Sequence, residues 1–408
     1  MVDILHLTPD EVAEEIPVSL LPSACGAVSA KSYRDKEVRP LVWLIFGGTG
    51  ALGRQVSKVA IGRHDKVMIA ALDEEYDCGE WEISDDESEH QVIDGDKDEN
   101  ASGTHNDNNK RPSSSPDQAT TSSRQKRPKI ASKVPLPSPF LYIGKQFRGS
   151  CKRVRCDVRI KSSVDDAIQK CLKEFGKIDV AVNCFGYGVV GACEDQIDSE
   201  VRSQFEVNFM GLFHTLRAVL PYLTNDARNK TGDSITPGHI ISFTSSMGVL
   251  GAPGFGPYSA TRWAAEGLLE SFAIEVEHTG CKVTIIETGY AKSGTPEDKI
   301  SVARPTGMFG LSNTKISSHF VMKSLSKDYQ NTPAEYGMQF TKHLDKILAT
   351  STIKVAKIIW EIGHCQSPPL RLLLGSCGVL GMKDKLRGMA EEIEDWKFLY
   401  EDQEKIRK

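Results

Sequence analysis

The chain has 408 residues, 39% of them hydrophobic, enough for a substantial core in one large domain or two smaller ones. A net charge of −5 and a pI near 6.1 give no reason to expect nucleic-acid binding. No apolar run approaches the ~20 residues of a membrane helix. The acidic start MVDILHLTPDEVAEE has no basic segment leading into an apolar one, so no secretory signal is expected. Ten scattered cysteines without a C-x-x-C pair predict reduced thiols, no metal site and a cytoplasmic protein.

In chain order, residues 1–39 read as an N-terminal extension with one short helix around Pro9 to Glu15. The first strand is expected at Leu41–Phe46, followed by a glycine-rich turn, a helix over Leu52–Arg63 and a second strand at Lys66–Leu72. Residues 74–146 begin acidic, turn polar and end Ser/Pro-rich and basic. That composition carries too little apolar surface to offset the entropy of ordering it, and a disordered insertion is expected. Within it, RQKRPK (Arg124 to Lys129) is weighed as a nuclear-import signal against a solvated charge run, and the charge run is favoured.

Alternation then resumes. Strands are expected at Lys152–Cys156, Asp179–Asn183, His239–Phe243, Lys282–Glu287 and Leu370–Leu374. Helices are expected at Val164–Phe175, Glu200–Leu223, Tyr258–His278 and Ile353–Ile362. In the third of these Leu268, Leu269, Phe272 and Val276 pack the core, and Gly280 caps the end. Several of the strands are near-continuous apolar runs, as in strands covered on both faces. The reading is therefore α/β, a doubly wound parallel sheet of about seven strands. One domain spans 40–400, interrupted by the insertion, and 401–408 is a charged tail.

FGGTGALGR places Gly47, Gly50 and Gly53 between the first strand and the first helix. Glycine permits a tight turn, and the helix N-terminus favours a pyrophosphate brought close to main-chain N–H groups. At the end of strand two an acid would bind ribose hydroxyls and an arginine a 2′-phosphate. Ala71 and Leu72 carry neither signal, and Asp73 stands about 20 residues past the turn, which leaves NAD or NADP open with a slight lean to NAD.

Further along stand NCFG (Asn183 to Gly186), FEVNFMG with Asn208, SFTSSMG with Ser245, and YSATR with Tyr258 and Arg262. In this order and strand context they resemble the short-chain dehydrogenase/reductase family over about Leu41 to Ser293, insertion excluded. SPPLRLLLGS near the end looks like the tail of branches that handle steroids, retinoids and related lipophilic alcohols.

The resemblance implies a Rossmann fold and hydride transfer between a nicotinamide and a lipophilic secondary alcohol or ketone. A homodimer or homotetramer is implied as well. Asn208, Ser245, Tyr258 and Arg262 would form the catalytic set, with Asn208 holding a water. Gly47, Thr49, Gly50, Leu52 and Gly53, then Asp73, Asp157, Val158, Asn183 and Gly186, and finally Tyr258, Arg262, Gly289 and Ser293 would line the cofactor.

The residue types suit that chemistry without the family name. A tyrosine is a poor base near neutral pH, and a fixed cation within a few ångströms favours its phenolate. Tyr258 and Arg262, at i and i+4, share a helix face. A serine hydroxyl can hydrogen-bond a substrate oxygen as its charge changes.

The sequence departs from the family pattern where Arg262 stands for lysine. It departs again at Thr288-Gly289 for the proline-glycine turn, at Cys184 and Phe185 within NCFG, and at Ala51 in the glycine turn. Arginine keeps the charge but does not release a proton. A second reading stays open at this stage, a catalytically weak dinucleotide-binding scaffold or redox-sensing protein.

Overall fold

The computed structural model describes residues 39–72, 149–230, 238–289, 291–292, 316–317, 319–347 and 350–399. Residues 1–38, the 74–146 segment with Arg124 to Lys129, and the 401–408 tail lie outside the described residues, as do Asp73 and Ser293.

Seven strands form one parallel sheet: β1 (Val42–Phe46), β2 (Lys66–Ala71), β3 (Cys151–Arg155), β4 (Val180–Asn183), β6 (His239–Ser245), β7 (Lys282–Thr288) and β12 (Arg371–Leu374). Their order across the sheet is β12-β7-β6-β4-β1-β2-β3. All seven are the strands expected from the apolar runs, and the result is the Rossmann-type doubly wound sheet. The order reverses between β1 and β4, which opens a crevice at the carboxyl ends of those two strands.

A second small sheet joins β5 (Gly188–Val190) in parallel to β10 (Phe320–Met322), which pairs antiparallel with β9 (Ile316–Ser317). β8 (Ala291–Lys292) pairs with β11 (Thr350–Ser351).

Strand pleating divides β1 between two cores. Val42, Leu44 and Phe46 face one side, under α2 (Lys161–Phe175), α4 (Gly211–Leu223) and α5 (Gly256–Val276). Trp43 and Ile45 face the other, under α1 (Ala51–Gly62) and α7 (Thr352–Gly363). On α5, Leu269 and Val276 are buried and Leu268 and Phe272 pack beside them, and Gly280 closes the helix end at φ +77°. The start of β1 is fixed by two buried acids: Leu41 N–H donates to Asp65 Oδ1 at 2.8 Å and Val42 N–H to Asp179 Oδ2 at 2.7 Å.

The single helix expected over Glu200–Leu223 is instead interrupted. α3 (Asp198–Phe205) runs through a π turn, Glu206–Met210, into α4. The wider turn delivers Asn208 into the protein, where its amide meets main chain, and such bulges commonly mark functional positions. Two further helices, α6 (Pro333–Ile347) and α8 (Ser376–Asp395), were not expected from the sequence.

Candidate active site

The phosphate end is built from the turn between β1 and α1. Gly47 has φ +73°, and a Cβ there would meet Phe185 N at 2.8 Å, so only glycine lets the turn lie against the loop after β4. A Cβ on Gly53 would strike Gly47 O and Gly48 Cα at 2.7 Å, which keeps helix and turn in contact. Thr49 and Leu52 are half-buried and Gly50 is exposed at the N-cap of α1, where no side chain caps the helix. The first N–H groups of α1 therefore point at the crevice without a side-chain acceptor, an arrangement suited to a phosphate.

Sequence reasoning passed over Arg54, which is buried under this turn and donates to Thr49 O at 3.0 Å. It also passed over Arg155, exposed at the end of β3 and in register with Ala71.

Where the resemblance puts the adenosine side, Asn183 donates to Ser242 Oγ at 2.9 Å, while its buried Oδ1 has no partner among the described residues. Phe185 leans toward Gly211 and Val158. The Asp157 carboxylate is gripped by Arg159, with Nη2 at 2.6 Å. Burial opposes this, but the bonds from the Arg159 side chain and N–H hold the carboxyl below its usual range. Gly289 follows β7, its N–H on Leu374 O at 3.0 Å.

The expected catalytic residues join three elements. Asn208 Oδ1 accepts from Tyr187 N–H at 3.1 Å, and its Nδ2 donates to Tyr187 O at 2.8 Å and to Thr261 Oγ1 at 3.0 Å. Thr261 in turn donates to Tyr258 O at 2.7 Å. The Asn208 amide is thus spent on tying the loop after β4 to α5.

Arg262 lies 4% exposed, its guanidinium against Gly186, where a Cβ would approach Nη2 to 2.0 Å. Gly186 has φ +138°, so this position is glycine on both counts. Arg262 Cζ stands 5.2 Å from the centre of the Tyr258 ring, and its buried Nε has no partner among the described residues. The cation therefore faces the ring of Tyr258, with its edge toward the crevice loop. Ser245 ends β6 half-buried, its Oγ accepting from Met247 N–H at 3.2 Å.

Tyr258 is 1% exposed. Its hydroxyl meets His319 Nε2 at 3.1 Å, and its ring packs edge-on against Phe320. Val190, Phe255 and Met338 complete an apolar cluster packed around it. The sequence held no signal for His319, whose position depends on β10 pairing with β5, Phe320 with Gly188, far apart in the chain.

One turn beyond Arg262, Glu266 lies buried beside Thr244, Glu287 and Arg371. Burial, with Glu287 adding to it, lifts its carboxyl to about 7 against the counter-pull of Thr244 and Arg371. The folded state thus holds this proton more tightly than the unfolded chain. Its contribution to stability is full below pH ~4.5 and is lost as pH rises through ~7. Denaturant unfolding at pH 5 and pH 8 should show Glu266→Gln gaining about 1–3 kcal/mol on the natural chain across that interval.

Comparison with known proteins agrees with the geometry. Residues 142–301 match the family model described as short chain dehydrogenase. Oxidoreductase BOA17 of Botryotinia fuckeliana is 28% identical over 246 residues, 60% of this chain and 79% of that protein. The 3-ketodihydrosphingosine reductase of Bacteroides thetaiotaomicron is 31% identical over 185 residues, 45% of this chain and 64% of the relative.

Among solved structures, a short-chain dehydrogenase from Streptomyces avermitilis superposes with a TM-score of 0.58 at 22% identity, covering 90% of this chain and 99% of that one. A short-chain dehydrogenase/reductase from Burkholderia phymatum in complex with NAD gives 0.54 at 17%, covering 88% and 96%. The fold is that of the short-chain dehydrogenases. The family match spans residues 142–301 of the 408, and the two relatives are named as an oxidoreductase and a reductase. No helix among the described residues is long and apolar enough to cross a membrane.

Proposed function

We propose that the chain is a nicotinamide-dependent oxidoreductase acting on a lipophilic secondary alcohol or its ketone. The observation that carries this reading is the convergence of Arg262 and Asn208 on Gly186, with the Tyr258 ring against Gly188 two residues on, beside the crevice at the carboxyl ends of β1 and β4. A binding module has no need of that set.

The residues suit a dinucleotide: an uncapped helix start, a glycine cradle against Phe185, and the orphaned Asn183 Oδ1. When bound, the nicotinamide supplies or accepts the hydride. Tyr258 exchanges a proton with the substrate oxygen, Ser245 hydrogen-bonds that oxygen, and Arg262 fixes positive charge against the tyrosine ring. Asn208 holds the loop and helix in register for this.

The apolar side chains of Val190, Phe255, Phe320 and Met338 packed around Tyr258 are the surroundings an apolar substrate would meet. The name of the Bacteroides relative, 3-ketodihydrosphingosine reductase, fits the same class. Because His319 and Phe320 cover the hydroxyl, β10 must withdraw for substrate to reach it.

The coverage of Tyr258 and the orphaned Arg262 Nε favour one second reading, a dinucleotide-binding scaffold with little turnover. Cofactor titration and a panel of secondary alcohols separate the two. The natural chain is expected to bind NAD or NADP and to turn over at least one apolar alcohol, and Arg262→Lys is expected to raise kcat by about one to three decades. An inert natural chain that gains activity only as Arg262→Lys would establish the scaffold. Arg155, in register with Ala71 at the end of β3, makes the NAD-against-NADP arm of the titration informative, with Arg155→Ala as its control.

A further inference from the structure

A buried tyrosine that trades protons with a substrate must also trade them with water. Tyr258 is 1% exposed, and among the described residues its hydroxyl has one hydrogen-bond partner, His319 Nε2 at 3.1 Å. The polar side chains nearest to it are committed elsewhere. The Arg262 guanidinium faces the tyrosine ring and does not release a proton near neutral pH. The Asn208 amide is taken up by the Tyr187 main chain and Thr261.

His319 can do what those two cannot. An imidazole takes a proton at one ring nitrogen and releases one from the other. The ring is half-buried, between the sealed tyrosine and the surface. Its position is held on three sides: His319 O accepts from Gly188 N–H at 3.1 Å, and the rings of Phe320 and Tyr258 pack edge-on with centres at 4.8 Å and 5.8 Å.

We propose that His319 is the proton relay between Tyr258 and solvent, a role that rests on the oxidoreductase reading proposed above. Substrate and imidazole compete for one hydroxyl, so the relay works between turnovers, when β10 is back in place. An alcohol first gives its hydroxyl proton to Tyr258 and leaves as the ketone. The Tyr258 O–H bond then breaks as an N–H bond forms at His319 Nε2, and the proton on Nδ1 passes on toward water. No electrons move in this step, and the phenolate is restored beside the fixed charge of Arg262. The imidazole stays neutral with its proton on the other nitrogen, and exchange with water resets it when β10 next withdraws. Ketone reduction uses the same path backwards.

Two variants separate a relay from packing and from a plain hydrogen bond. His319→Phe keeps an aromatic ring without nitrogens, and His319→Gln keeps a partner for the hydroxyl that passes no proton through. In the cofactor-free full chain, a stopped-flow jump from neutral to about pH 10 reads tyrosinate absorbance, with the Tyr258→Phe trace subtracted. Both His319 variants are expected to slow the Tyr258 phase at least about tenfold. With NAD or NADP and 2-octanol or cyclohexanol, both are expected to complete a first turnover at the natural rate. Their steady-state kcat should then fall at least about tenfold below that of the natural chain. Circular dichroism verifies the fold of each variant. Either folded variant matching the natural chain in either readout overturns the relay alone. A natural chain inert toward both alcohols overturns the oxidoreductase reading and the relay with it.

Discussion

Tyr258→Phe is expected to lower kcat by about 10²–10⁴-fold, the usual worth of positioned acid–base assistance. The dissociation constant for the dinucleotide should stay within about twofold, because the variant leaves the glycine turn and the loop after β4 unchanged. Phenylalanine keeps the ring that packs on Phe320 and faces Arg262, and removes only the hydroxyl at His319. The cost to stability is therefore small, about 0.5–1.5 kcal/mol for one hydrogen bond. Steady-state rates with a turned-over alcohol, read beside a fluorescence titration of cofactor, separate chemistry from binding. Undiminished kcat in the variant would remove Tyr258 from the mechanism.

The second large effect belongs to Asp65, far from the crevice. Its Oδ2 accepts from the indole N–H groups of Trp43 at 2.9 Å and Trp360 at 2.8 Å and faces His364 Nε2 at 3.0 Å, while Oδ1 takes the Leu41 N–H. All of this is buried. Asp65→Ala strands two indole donors and a main-chain donor away from water. Each stranded group costs about 1–3 kcal/mol, with partial relief by relaxation, so a loss of about 3–5 kcal/mol is expected. Asp65→Asn retains one acceptor oxygen and should lose about half of that. Urea unfolding of the three proteins at one pH measures the difference, and an Asp65→Ala variant within about 1 kcal/mol of the natural chain would show that the network contributes little.

The sheet was legible because its central strands are buried on both faces, so that runs such as LVWLIF and KVTIIE declare themselves without alternation, whereas the edge strands β3 and β12 are only partly buried. The glycine turn was legible for a similar reason, since Gly47 and Gly53 sit where any Cβ would collide. What the sequence hid depends on distant pairing. His319 reaches Tyr258 only through β10 on β5, and no local pattern encodes that contact.

The π turn at Glu206–Met210 was invisible because its residues continue a good helical pattern, and the bulge answers the Tyr187 main chain. α8 escaped notice because Gly378, Gly381 and Gly388 dilute its helix propensity, although its apolar spacing is regular. Arg155 near Ala71 follows from sheet order, which places β3 beside β2 across the whole insertion.

The strand that covers Tyr258 is hydrogen-bonded to β5, and β5 begins two residues after the glycine that presses on Arg262. A tug on one end of that short ladder is transmitted to the other. On the proposed function, prying Phe320 away to admit an alcohol would disturb the seat of the guanidinium, while a dinucleotide firming the loop from Asn183 to Gly186 would brace the same loop first. Steady-state patterns from such a machine should show compulsory order, coenzyme leading and alcohol following.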